Sequence, residues 1–180
     1  MIERPESGEY AAFYAGYISG LPAGDVLEIL EGQKDQLRRL AATVEADRET
    51  FRYAPGKWSV REVVGHLIDA ERVFSYRALR FSHGDETPLA GFDENFYVDH
   101  ARFDSRTLKS LIEELTLLRS ANVLLFRELS PEELARVGVA NTHPVSVRAL
   151  AFILAGHLHH HFEVLRERYG IEVPALRLAG

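Results

Sequence analysis

The chain has 180 residues, of which 46% are hydrophobic and 27% charged, and it contains no cysteine. That composition is ordinary for a soluble globular protein, and the length is enough for one domain with a sizeable core. The lack of cysteine excludes disulfides, thiolate zinc sites, iron–sulfur clusters and a cysteine nucleophile, and the formal net charge of −6, with its cations dispersed, argues against a nucleic-acid partner. No apolar stretch is long enough to span a membrane. The N-terminus Met1-Ile2-Glu3-Arg4-Pro5 lacks the apolar run of a signal or transit peptide, so the expected compartment is the cytoplasm.

Residues 1–180 read as a single domain. Residues 1–23, with Tyr10, Phe13, Tyr14, Tyr17 and then Gly20 and Pro22, read as an arm or short helix packed upon it. A first long helix is predicted over 24–46, capped by Asp25, with Val26, Ile29, Leu30, Leu37, Leu40, Ala41 and Val44 at three- and four-residue steps. Pro55 and Gly56 break the chain. Ser59, with Glu62 three residues on, is a capping box that opens a second helix running to about Phe81. The stretch 83–103 has no clear periodicity and is long for a plain loop, so it is predicted to be functional or to hold a short helix. A third helix is predicted from Asp104 or Ser105 to Leu129. Ser130-Pro131-Glu132-Glu133 restarts a short one, with proline at its first position. Gly138 to Pro144 reads as a turn-rich link, and Val137-Gly138-Val139 as too short to count as a strand. The fourth long helix starts at Ser146 and stops at Gly170, which suits the left-handed position after a helix. The fold class is therefore all-α, a four-helix bundle.

The histidines carry the functional signal. Four of the eight fall between 157 and 161. On the fourth helix Val147, Leu150, Leu154, His157, His161, Val164 and Arg168 form the stripe that a bundle helix turns to its core. His157 and His161 thus stand where Leu or Ile belongs, one turn apart on one face, the spacing two imidazoles need to share an ion. Two rings in a core seam are costly unless something satisfies them, and a metal does so directly. His159 falls about 200° around the helix from His157 and should face solvent, while His160, about 60° away, should border the site. On the second helix His66 lies within the apolar stripe of Val63, Leu67, Ala70 and Phe74 and is the candidate third ligand. Asp69 and Glu163 are the candidates to orient ligands or move protons. His83, His100 and His143 read as surface or capping residues, Trp58 as a packing anchor, and Glu113-Glu114 and Glu132-Glu133 as solvated faces. The competing reading is a structural bundle in which buried histidines are merely hydrogen-bonded.

Three stretches resemble the DinB/YfiT-like metalloenzyme superfamily, whose name does not refer to the DNA polymerase. They are Gly56-Lys57-Trp58-Ser59-Val60-Arg61-Glu62-Val63-Val64-Gly65-His66-Leu67-Ile68-Asp69-Ala70-Glu71-Arg72, the run Gly91-Phe92-Asp93-Glu94-Asn95, and Val145 to Leu150 leading to Gly156-His157-Leu158-His159-His160-His161 and on to Arg166-Glu167-Arg168-Tyr169. The likeness covers about residues 5 to 170, and the two histidine-bearing motifs are its most specific parts. It implies a four-helix bundle of unusual topology with a divalent metal, zinc or nickel, in a three-histidine site, the ligands falling on His66, His157 and His161. It further implies a transferase or isomerase that uses a low-molecular-weight thiol, with small-molecule thiol and electrophile as substrates and a homodimer as a common assembly. His159 departs from the polar residue that relatives tend to carry.

Three neutral imidazoles leave a coordination position open, the arrangement of a catalytic site. A metal there lowers the pKa of a thiol or water and generates a nucleophile near neutral pH, and a chain without cysteine must receive its thiol as a cosubstrate. A metal-dependent hydrolase and a non-catalytic metal- or ligand-binding module are the rival readings from the same residues.

Overall fold

A computed structural model describes residues 1–178. Four long helices form the bundle: α2 (Val26–Thr43), α3 (Val60–Ser82), α5 (Leu108–Glu128) and α7 (Val147–Tyr169). Around the bundle α2 packs on α5, α5 on α3, α3 on α7 and α7 on α2, so α3 faces α5 and α7. Their starts follow from local chemistry. Asp25 accepts from the Leu27 N–H at 3.1 Å, Ser59 and Glu62 complete the capping box, Thr107 caps α5, and Ser146 accepts from the Ala149 N–H. At the far end of α7, Gly170 takes the left-handed conformation at φ 64° that a β-carbon would resist.

The N-terminal arm consists of two short 3₁₀ turns and α1 (Ala15–Ser19), which packs on α7. One arginine braces it internally and another ties it to the bundle. Arg4 donates to the Ile18 carbonyl at 2.6 Å, and Arg148 of α7 pairs with Glu9, whose pKa it holds down to about 2. The approach is close because α7 carries Gly156 where the arm crosses, and a β-carbon there would overlap the Tyr17 carbonyl.

The stretch 83–103 does hold a helix, α4 (Glu94–His100), capped by Asp93. Two expectations need correction. The third long helix begins at Leu108, not at Asp104 or Ser105. Asp104 is drawn away to accept from the Ser59 hydroxyl and from Arg52, which leaves Thr107 to cap. The link before α7, read as free of strands, is a hairpin of β1 (Val137–Ala140) and β2 (His143–Ser146), preceded by the short helix α6 (Pro131–Ala135). Its turn is Asn141-Thr142, both at positive φ, which matches the twist of a two-residue hairpin. Four-residue strands are too short for alternation to reveal them.

The apolar core divides into two clusters, one around Ile29, Phe74, Val123 and Phe152, the other around Leu37, Val64, Leu111 and Phe162. A buried polar layer separates them. Arg119 of α5 donates Nε and a terminal nitrogen to the two Glu71 oxygens of α3 at 2.8 and 2.7 Å, and also donates to Gln33 of α2 and the Leu154 carbonyl of α7. Asn122 donates to Glu71 at 2.9 Å, and Gln33 to the Ala155 carbonyl at 2.8 Å. All four helices are thereby joined at one level. Breaking such a pair leaves an unbalanced buried charge. Glu71→Ala is expected to lower the unfolding free energy in urea by about 3–5 kcal/mol, and the double variant Glu71→Leu/Arg119→Met to recover most of that loss.

Candidate metal centre

His66 sits on α3 within a capped, apolar helix, and His157 and His161 sit one turn apart on α7. Because α3 packs on α7, the three rings meet. The Nε2 atom of His157 lies 3.0 Å from that of His66 and 3.2 Å from that of His161, and one nitrogen from each ring falls within 4.8 Å of the other two. Two nitrogens bound to one tetrahedral ion at about 2.1 Å stand roughly 3.4 Å apart, so the donor spacing fits a shared transition metal. No carboxylate belongs to this cluster among the described residues.

Burial sets the charge state of the rings. It lowers the His66 pKa to about 4 and pushes His157 and His161 well below the usual imidazole value, and at those two charge on a neighbouring imidazole opposes protonation further. The donors are therefore neutral at pH 7, which is the form that ligates. The outward Nδ1 atoms of His66 and His161 are buried without a hydrogen-bond partner. Aromatic packing orients the rings instead. Trp58 lies 4.8 Å from His66, and Tyr17 and Phe74 meet His157 edge-on at 5.4 and 5.9 Å.

The triad forms the floor of a cavity of about 310 Å³ between α3, α7, the arm and the 91–94 segment. His160 lines it, as its helical angle predicts, with its ring 5.2 Å from both Tyr17 and His161. His159 does not project freely into solvent: it is half-buried against Gly20 of the arm. Asp69 and Glu163 do not line the cavity. Asp69 is half-buried with its pKa raised by burial, near Arg72 and Glu114, and Glu163 pairs with Arg166 on the outer face of α7. His83 caps α3, His100 stacks on Phe96, and His143 lies on β2 near Phe13. Trp58 is a pocket wall as well as a packing anchor.

Tyr17 and Arg77 are among the pocket residues that no sequence pattern had assigned to the site. Tyr17 reaches the site from the arm, and only the aromatic richness of that segment hinted at it. Arg77 was legible in principle, since it lies three turns beyond His66 on the same face of α3. Burial raises the pKa of both Tyr14 and Tyr17, and at Tyr14 the charge of Arg77 opposes the rise.

The fold and the cluster define a helical-bundle protein with a convergent three-histidine site. The family model of the DinB superfamily matches residues 29–165, and the chain belongs to that superfamily. Among solved structures it is similar to YfiT from Bacillus subtilis, described as a probable metal-dependent hydrolase with an unusual four-helix bundle topology, at 20% identity and a TM-score of 0.70 over 94% of this chain and 95% of that one. A mycothiol-dependent maleylpyruvate isomerase aligns at 13% identity and a TM-score of 0.65 over 87% of this chain and 66% of the isomerase. The DinB-like protein YjoA from Bacillus subtilis aligns at 19% identity and a TM-score of 0.59 over 87% of this chain and all of that one (100%). At these identities the likeness establishes the fold. No curated protein matches the sequence.

The histidines make the metal-free chain acid-sensitive. His66 has an ordinary pKa near 6.5 when unfolded and about 4 when folded, so between those values the unfolded chain binds more protons. Stability should be independent of this group above about pH 6.5 and fall as pH drops toward 4, by on the order of 3 kcal/mol. Urea unfolding of chelator-treated protein across pH 4–7 measures it. His66→Leu should make the slope shallower, with His157 and His161 still contributing, and an unchanged slope in that variant would contradict the assignment.

Proposed function

We propose that His66, His157 and His161 hold one divalent transition metal, zinc or nickel, and that the cavity above them serves transfer of a low-molecular-weight thiol to an electrophile. The observation that carries this reading is the convergence of three neutral imidazole donors at the floor of an open pocket. The donor set is suited to zinc or nickel, because imidazole is the borderline ligand both accept. When bound with a position open, such an ion supplies the charge that lowers the pKa of a thiol or water. The chain contains no cysteine, so the thiol arrives with the substrates. A structural relative named for its mycothiol dependence supports the same chemistry.

The chain's own residues contribute orientation and proton handling. Trp58, Tyr17 and Phe74 hold the rings by contact, with little rotational freedom left to the donors. The arm and the 91–94 segment wall the cavity and limit water around it. His160 is the remaining imidazole of the pocket wall; it is exposed, partial burial lowers its pKa, and its neutral ring can take the thiol proton.

Purified protein is expected to carry about one metal per chain, and His66→Ala or His157→Ala to lose it by elemental analysis. Metal-replete protein should conjugate monochlorobimane with glutathione, bacillithiol or mycothiol. His160→Gln should slow that reaction at least about tenfold with its metal retained. Conjugation that survives His157→Ala would overturn the metal reading. Ester hydrolysis without any thiol requirement would replace thiol transfer by the hydrolase reading, and no turnover across both substrate panels would leave a binding module.

A further inference from the structure

Among the described residues two arginines are buried, and one of them is neutralised by a carboxylate. Arg119, 1% exposed, is held by both oxygens of Glu71. Arg77, 3% exposed, donates to the Ala90 carbonyl at 3.0 Å, lies beside the Tyr14 hydroxyl, whose pKa it pulls down against burial, and stands 5.6 Å from the centre of the Phe74 ring. None of the ion pairs among the described residues includes it. A guanidinium has five N–H donors and keeps its charge. A buried cation without an anionic partner is costly, and natural proteins retain one mainly where something else brings the anion.

The position of Arg77 says what that something is. It lines the same cavity as the triad. Phe74 lies between them, its ring 5.6 Å from the Arg77 guanidinium and 5.9 Å from the His157 ring. The path from cation to histidines is therefore one aromatic ring long, with Tyr14 and Phe92 along the same wall. Glu94 is the one carboxylate of the wall, and it sits exposed on α4 without bonding Arg77. The arrangement suits a ligand with an anionic head and a flat apolar body, which a cavity of about 310 Å³ accommodates.

We propose that Arg77 is an anion subsite of this pocket, pairing with the carboxylate of a small organic acid whose apolar body lies along Phe74 toward the three histidines. This rests on the reading of the pocket as a substrate site but not on the metal. A fork of guanidinium donors recognises a carboxylate in a fixed plane, and that orients the rest of the molecule. The subsite narrows the substrate class to acids among all the electrophiles and thiols the cavity could admit.

Trp58 is the sole tryptophan and lines the cavity, so its fluorescence reports occupancy. The test titrates the full chain, metal-replete and chelator-treated, with phenylacetate and with its neutral isostere phenylacetamide. In both forms phenylacetate should bind at least about tenfold tighter. Arg77→Met should erase the preference, and Arg77→Lys, which keeps the charge but not the fork, should retain part of it. Equal binding of the two compounds, no saturable binding of the acid at millimolar concentration, or a preference undiminished in Arg77→Met would overturn the subsite. So would a preference confined to the metal-replete form, since the ion would then be the anion's partner. Should Arg77→Met fail to fold, the wild-type comparison and Arg77→Lys still decide. A chain that binds no metal at all would sink the metal reading while leaving the chelator-treated comparison intact.

Discussion

Three imidazole rings stand in the middle of a helical bundle, where packing alone would place aliphatic side chains, and no carboxylate balances them. Burial makes protonation expensive, so the rings are neutral, and two of their outer nitrogens lack a hydrogen-bond partner. A polar cluster of that kind costs stability unless a ligand repays it. The local sequence around it is arranged to preserve the cluster. Gly156 lets the arm come down on α7, which carries Tyr17 onto His157, and Trp58, immediately before the Ser59 cap of α3, packs against His66. The proposed metal accounts for that arrangement with one cause.

The polar layer of Arg119, Glu71, Gln33 and Asn122 does a related job at the level of the backbone. Glu71 lies five residues past His66 on α3. The carbonyls gripped by Arg119 and Gln33 belong to Leu154 and Ala155, just ahead of His157 on α7. The clamp therefore fixes the register of the two histidine-bearing helices within two turns of the cluster. Side chains packed only by apolar contact could slide by a fraction of a turn, whereas a bidentate, fully buried ion pair has a single geometry. A slip of one residue would carry His157 out of reach of His66. The division of the core into two clusters is the packing counterpart of this layer.

Much of this was legible in the sequence, for a physical reason. Helical periodicity places His157 and His161 on one face and His66 on a buried one, and caps such as Ser59 and Ser146 mark where the helices start. Motif likeness then supplies the superfamily. Asp104 shows where legibility ends: it looks like an N-cap for its own helix but is captured by Ser59 and Arg52 from another part of the chain. Asp69, one turn from His66, is half-buried and does not line the cavity. The β1–β2 hairpin depends on two positive-φ residues and tertiary pairing, neither of which leaves a period. Tyr17 meets the triad only once the arm and α7 are packed.

Whether three rings from two helices share one ion can be read from X-ray absorption at the metal edge of the purified protein. Three imidazole nitrogens at about 2.0–2.1 Å, with the outer-shell scattering of their rings, are expected. Fewer than two imidazoles per metal, or a first shell of oxygen alone, would contradict a shared ion.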